Sequence, residues 1–425
     1  MVTQALESYG FLKLNEEILA NPYPFYRALR EQAPIYREPD YGVFLLSRYE
    51  DILEVNAQPE LFSSILVANA PYTDPPAALE DLPAWRDSQP FSDKILSNDP
   101  PDHTRHKRLI NRFFTPRHVA GLEPRVREIT NEIIDTFIDE GEVEFVTQFS
   151  HMLPRLVVGE LIGLPPEDHD YFKQYFMDRL AVMARAAADP TGSYKQQEEE
   201  REEITENEFL TDYFMKAMAE RRERPRGDIM SDLASATFVD SGEPVALESL
   251  VSMITLLYAA GGDANTPELM TNAMLVLLRQ PDVMQALRDD PSLAGGFIEE
   301  VLRYDTPVPG VFRIALQDTS VGGVPLKRGE KLMVIYGSGN HDAEKFEDSE
   351  VFDLGREQNC PHLGFGHGVH YCPGAGLARQ EGRVAMQELL RRMGDIQMLE
   401  GDPPYVPSVI QRIPIRLKLG FTKLA

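Results

Sequence analysis

The sequence predicts a mainly α-helical protein with small β-sheets, and three observations carry that prediction. Short apolar-periodic segments punctuated by Gly, Pro and Asp fill most of the 425 residues. The longest of these patterns runs from Ala246 to about Arg279, which as a helix would span about 50 Å, enough to cross a whole domain. Strand-like sequence is sparse and falls mostly late in the chain.

In chain order, Asn21 to Gln32 reads as a first helix, with Pro22 and Pro24 near its start. Tyr36 to Leu46 holds strand-like alternation around Gly42-Val43-Phe44-Leu45-Leu46. Asn69 to Pro101 is long, proline-rich and carries Trp85, the only tryptophan. A loop of that length is usually functional or disordered. Helical patterns resume over Thr104–Asn111 and Glu123–Phe137. The acidic run Glu198–Glu203 reads as a solvated helix face or connection. Val321–Val324 and Lys331–Ile335 bracket Lys327-Arg328-Gly329 as a small hairpin would.

The Ala246–Arg279 pattern is apolar nearly all round before Asp263, so it should be buried. Gly261-Gly262 lowers its helix propensity, and Pro267 lacks the N–H that would bond the Asp263 carbonyl. A break inside a buried helix, beside a lone carboxylate, marks a candidate functional site.

Composition narrows the function classes. Lys plus Arg is 42 and Asp plus Glu is 68, a formal net charge of −26. That argues against nucleic acid and anionic membrane surfaces as partners. The most apolar run, Leu250–Gly262, is too short and too interrupted for a membrane span. The N-terminal residues show no basic start, apolar core or cleavage-site pattern. With only Cys360 and Cys372, a reducing cytoplasm is expected.

Chemistry concentrates in Phe365-Gly366-His367-Gly368-Val369-His370-Tyr371-Cys372-Pro373-Gly374. The glycines allow positive φ and close approach of the backbone. The segment after Gly374 continues as a helix, with Met386, Leu390 and Met393 at helical spacing. N–H groups at its start should lower the Cys372 pKa. Such a thiolate can be a nucleophile, a redox thiol or a metal ligand. Cys360, His362, His367, His370 and Cys372 cluster, but their spacing matches no familiar tetrahedral zinc pattern. Nothing local identifies the base a nucleophilic cysteine needs.

The loop resembles the haem-binding signature of the cytochrome P450 family, Phe-x-x-Gly-x-x-x-Cys-x-Gly, through Phe365, Gly368, Cys372 and Gly374, and Ala378-Arg379-x-Glu381 continues it. Glu300-Val301-Leu302-Arg303 resembles the family's Glu-x-x-Arg helix, whose role is structural. The family's third partner is often an Arg just before the Phe of the next segment, where this chain has Val351 before Phe352. Asp99–Lys107 is similar to the haem-flanking helix start of bacterial members. There His103 matches a propionate ligand and Lys107 stands where Arg is usual. Arg313 and His370 match further propionate positions. Ala260-Gly261-Gly262-Asp263-Ala264 matches the oxygen-binding groove, with Ala264 in place of the usual Thr.

The resemblance covers the chain from about Asn21 onward and implies a single catalytic domain over 1–425 with a long central helix over the haem. It implies haem b held by Cys372 as the iron ligand, with His370, His103, Lys107, Arg313, Phe365 and Gly261 around it. Proton delivery would fall to Asp263 and to Asn265, Thr266, an ordered water or a substrate hydroxyl. The implied reaction inserts one oxygen atom from O2 into a hydrophobic substrate. No flavin or iron–sulfur signature is present, so a ferredoxin-type donor is expected, docking near Lys107, Arg108, Arg112 and Arg379. A monomer is expected. Substrate should meet Ile65–Lys94, Tyr171–Ala187, the helix before Asp263 and Pro307–Phe312. Because of Ala264, a haem-thiolate sensor or a peroxide-dependent oxidase is the rival.

Overall fold

The computed structural model describes residues 6–66, 75–88, 93–169, 171–172, 174, 210–356 and 361–424. The acidic run at 198–203, Cys360, and most of the expected substrate-contact segment Tyr171–Ala187 lie outside the described residues. The helices that build the site are labelled α1 (Tyr23–Gln32), α2 (Asp102–Asn111), α3 (Pro116–Asp135), α4 (Met152–Ile162), α5 (Leu247–Tyr258), α6 (Thr266–Arg279), α7 (Ala294–Tyr304) and α8 (Ala375–Arg392). Among the described residues ten short strands accompany them. They are β1 (Ile35–Arg37), β2 (Phe44–Leu46), β3 (Phe62–Ser63), β4 (Glu142–Glu144), β5 (Val311–Ala315), β6 (Thr319–Val321), β7 (Val324–Leu326), β8 (Lys331–Val334), β9 (Met393–Met398) and β10 (Lys418–Lys423). The mainly α architecture with small sheets is as the sequence predicts.

Local chemistry accounts for the helix ends. α1 starts with proline in its first turn, where a missing N–H costs nothing, and buries Phe25, Tyr26 and Leu29 on one face. The Thr115 side chain accepts from the His118 amide to open α3. α4 stops at Gly163, whose φ of 89° is left-handed.

Five strands form one sheet in the order β1-β2-β8-β5-β3, with β2 and β8 parallel and the other pairs antiparallel. The late hairpin differs from expectation. β6 pairs with β7 across Gly322-Gly323, while β8 leaves to pair with β5 and β2. Two adjacent glycines at positive φ (52° and 80°) make the tighter turn. Leu332, Met333 and Val334 are fully buried, which requires a place inside the larger sheet.

The main core forms where α3, α6, α7 and α8 pack together. It includes Ile129, Ile133, Leu269, Met270, Phe297, Val301, Val384 and Leu389. The predicted Ala246–Arg279 helix is two helices on one path. α5 widens into a π-helical turn over Ala259–Asp263, and α6 starts afresh at Thr266. Helix α8 ends at Arg392, so Met393 begins β9 rather than continuing the helical face. Among the described residues no helix is long and apolar enough to cross a membrane.

Candidate haem and substrate chamber

A chamber lies between the broken central helix and the cysteine loop, with about 1530 Å³ of empty space including its open mouth. Cys372, Pro373, Gly374 and Leu377 form one wall, and Leu256, Ala260, Gly261, Asn265 and Thr266 form the opposite one. Ile110, Phe114, Val158, Leu161, Ile229, Val308 and Val311 make the remainder strongly apolar.

The cysteine loop is fixed by its own backbone. The Cys372 amide donates to the Phe365 carbonyl at 3.0 Å. Gly366 and Gly368 both sit at φ 71°, in the left-handed region. A Cβ on Gly368 would lie 2.3 Å from the Asn56 carbonyl oxygen, so only glycine fits there. The expectation of a lowered thiol pKa needs correction. Burial pushes the Cys372 thiol up, against the pull of the Gly374 and Ala375 amides and of Lys107 and Arg379. Desolvation dominates until a cation binds the sulfur.

One edge of the chamber gathers the predicted cations. His103, Lys107, Arg313 and His370 all line it. The His103 and His370 rings lie 4.1 Å apart, and Ser64 Oγ is 3.1 Å from His370 Nε2. His103 is 1% exposed, and neither ring nitrogen has a hydrogen-bond partner. Burial, then Lys107 and His106, push it down to about 4. A buried imidazole with two open nitrogens, beside the Lys107 ammonium and a second imidazole, fits an anionic ligand edge. Lys107 also ties α2 to the loop, donating to the Val369 and Tyr371 carbonyls, both at 2.6 Å. Apolar faces, a thiol on one wall and an edge of Arg313, Lys107 and two neutral imidazoles together fit a haem with two carboxylates. Among the described residues no cluster of three or more His, Cys, Asp or Glu could hold a metal ion.

The remaining predicted residues divide. Phe365 lines the chamber and carries the Arg379 guanidinium 4.5 Å above its ring. Gly261 lines it too. A Cβ there would meet Val158 Cγ2 at 3.2 Å, so glycine lets the π-helical turn approach α4. Thr266 faces the chamber, but Asp263 does not line it. Arg155 Nε, on α4, donates to Asp263 Oδ1 at 2.7 Å, and both side chains are about 95% buried.

The break itself is a γ-turn. Ala264 is extended, Asn265 sits at φ 71° and ψ −54°, and the Thr266 amide donates to the Ala264 carbonyl at 3.0 Å. This positive-φ turn is rare and costs on the order of 1–3 kcal/mol for a residue with a side chain. The Asn265 carboxamide is held on both sides, donating to Ala260 O at 3.4 Å and accepting from Gln411 Nε2 at 3.5 Å.

The Glu-x-x-Arg pair is buried. Arg303 Nη2 and Nε reach the two Glu300 oxygens at 2.7 and 2.9 Å. Its Nη1 donates to the carbonyls of Asn340 and Ser349. The third partner is Arg356, four residues after Phe352, with Nε 3.1 Å from Glu300 Oε2. Sequence reading looked at Val351, whose part is a backbone carbonyl that accepts from Arg303.

Sequence reading also missed Arg155 and Gln411, and it assigned no role to Glu381. Glu381 is 1% exposed, lines the chamber, and leaves Oε2 without a partner, so burial raises its pKa well above the carboxylate range. Of the expected substrate contacts, Pro307, Val308, Val311, Leu256 and Ala260 line the chamber. Trp85 instead packs on a short helix, Leu82–Asp87, against the core cluster that holds Leu79 and Leu82. Residues 67–74 and 89–92 of that loop lie outside the described residues.

Comparison with known proteins gives a consistent picture. The family model described as "Cytochrome P450" matches residues 42–405. A putative cytochrome P450, YjiB, of Bacillus subtilis is 34% identical over 387 residues, covering 91% of both chains. The substrate-free structure of Mycobacterium marinum cytochrome P450 CYP150A6 superposes with a TM-score of 0.85 at 31% identity, covering 97% of this chain and 98% of that one. CYP109E1 from Bacillus megaterium, in complex with testosterone, gives a TM-score of 0.81 at 29% identity, covering 96% and 99%.

Proposed function

Because the chain belongs to the cytochrome P450 family of haem-binding monooxygenases, we propose that it inserts one oxygen atom from O2 into a hydrophobic small organic molecule. Electrons come from a separate ferredoxin and its reductase. The observation that carries this reading is Cys372 in the wall of a large apolar chamber whose edge presents His103, His370, Arg313 and Lys107. Testosterone, bound by the Bacillus megaterium relative, has the hydrophobic character that such walls favour.

Haem b bound through the Cys372 thiolate supplies the oxygen-activating redox chemistry. Arg313 and Lys107 would hold its carboxylates by charge-assisted hydrogen bonds, with His103 and His370 as neutral N–H donors beside them. Phe365, under the Arg379 guanidinium, shields the sulfur side from water. Leu256, Leu257, Ala260 and Leu269 exclude water from the opposite side. Thr266 Oγ1 is the hydroxyl that brings a proton to the chamber, in place of the Thr that Ala264 replaces. Asp263 acts behind it by fixing the π-helical turn against Arg155. Exposed Arg108 and Arg112 on and just after α2 offer the donor a local positive surface. We place the enzyme in the cytoplasm as a monomer.

The test is a difference spectrum of the reduced protein with and without carbon monoxide. A red-shifted thiolate-type Soret band that is lost in Cys372→Ala supports the proposal; a protein without haem after cofactor supplementation overturns it. A second reading, a peroxide-driven oxidase or haem-thiolate sensor, rests on Ala264, which brings no hydroxyl to the break. Turnover with a ferredoxin system, compared with peroxide alone, separates the two.

A further inference from the structure

The chamber wall formed by the central helix is apolar except at its break. There Leu256, Leu257, Ala260 and Leu269 surround two polar side chains, Asn265 and Thr266. Asn265 is also the residue held in the positive-φ γ-turn. Its backbone geometry therefore fixes where the carboxamide stands, and two further contacts fix how it turns. Nδ2 uses one N–H on the Ala260 carbonyl, and Oδ1 accepts from Gln411, which arrives from the far C-terminal loop. A carboxamide has two N–H groups. One N–H and one lone pair stay open, but the oxygen is turned to Gln411, which does not line the chamber, so the spare N–H is the group left for a ligand there.

We propose that Asn265 is a specificity-determining residue: its second N–H selects substrates that carry an acceptor oxygen, a carbonyl or hydroxyl, over plain hydrocarbons of the same shape. Gln411 acts as a positioning residue that keeps the amide nitrogen toward the chamber. The adjacent Thr266 hydroxyl adds a second polar point on the same wall. An apolar group placed there would leave the donor buried and unpaired, which is how a site built around a hydrogen bond rejects the analogue that lacks it. The inference rests on the haem-thiolate reading and narrows its substrate to oxygen-bearing amphipathic molecules.

The experiment uses the haem-loaded protein and matched probes: cyclooctanone, cyclododecanone and cyclopentadecanone, each beside the cycloalkane of the same ring size. Binding is read from the Soret spin-state shift on titration. The expected result is about tenfold tighter binding of the best ketone than of its cycloalkane. Asn265→Gly keeps the positive-φ backbone and removes the amide; Asn265→Asp keeps the shape and removes the N–H. Both should equalise ketone and cycloalkane. Gln411→Leu should weaken the ketone several-fold and leave the cycloalkane unchanged. Equal binding by the unsubstituted protein, a preference that survives in Asn265→Gly, or failure of every ketone to bind would each overturn the proposal. The reduced carbon monoxide spectrum of the same samples reports separately on the haem-thiolate reading.

Discussion

Arg155 Nε holds Asp263 Oδ1 at 2.7 Å in a nearly dry pocket behind the chamber wall. The groove carboxylate that sequence reading assigned to proton delivery is thus a structural anchor as well. Asp263→Ala takes the carboxylate away from a buried guanidinium and should cost up to about 3–5 kcal/mol. The double substitution Arg155→Met/Asp263→Leu removes both charges and should regain most of that loss. Thermal unfolding of the three proteins gives the comparison. If the double variant is stable yet turns over slowly, Asp263 has a chemical role beyond anchoring.

Gly368 should be irreplaceable. Alanine there meets Asn56 O at 2.3 Å and a φ of 71° together. Gly368→Ala should lose haem incorporation and at least about 2 kcal/mol of stability. Gly121→Ala is the control. It lies within α3 with nothing near its added Cβ, and it should gain about 0.5–1 kcal/mol. The ratio of Soret to protein absorbance and the melting temperature report both effects.

Arg303 and Arg356 contribute unequally to Glu300. Arg303 is fully buried and bonds three backbone carbonyls besides the carboxylate. Arg303→Lys keeps the charge but cannot reproduce the fork, so a loss of about 3 kcal/mol or more is expected. Arg356 is more exposed, and Arg356→Lys should cost about 1 kcal/mol. Denaturant unfolding monitored by haem release ranks the two.

Glu381 gives a pH signature. Its folded pKa lies above the ordinary value of 4.5 because of burial. The folded state therefore holds the proton more tightly than the unfolded state. Stability from this group is full below 4.5 and falls as pH rises toward the folded pKa, by up to about 1.4 kcal/mol per pH unit. Glu381→Gln has no proton to lose. Its melting temperature relative to the unsubstituted protein should climb between pH 5 and 8, and a constant difference across that range would count against a neutral Glu381.

Arg108 is exposed on α2, beside the Lys107 that is bound to the cysteine loop. Arg108→Glu should slow reduction by a ferredoxin several-fold at low salt and less at high salt, without changing the carbon monoxide spectrum. Stopped-flow reduction at two ionic strengths tests this; salt-independent, unchanged rates would remove Arg108 from the donor surface.

The sequence by itself determined the helical class, the Cys372 loop, the cations at one chamber edge and the Glu300–Arg303 pair. Each of these is either a contiguous pattern or a short spacing on one helix, so local chemistry makes it readable. Gly261-Gly262 and Pro267 likewise announced a break in the central helix. Only the tertiary structure decided what the break contains, because its partners come from remote elements. Arg155 lies 108 residues before Asp263, and Gln411 lies 146 residues after Asn265. The same distance hid Arg356 as the third member of the Glu300 cluster and sent β8 to the larger sheet. Burial also reversed the direction expected for the Cys372 thiol. Helix-start amides are visible in sequence, whereas the desolvation that outweighs them exists only once distant walls close around the sulfur.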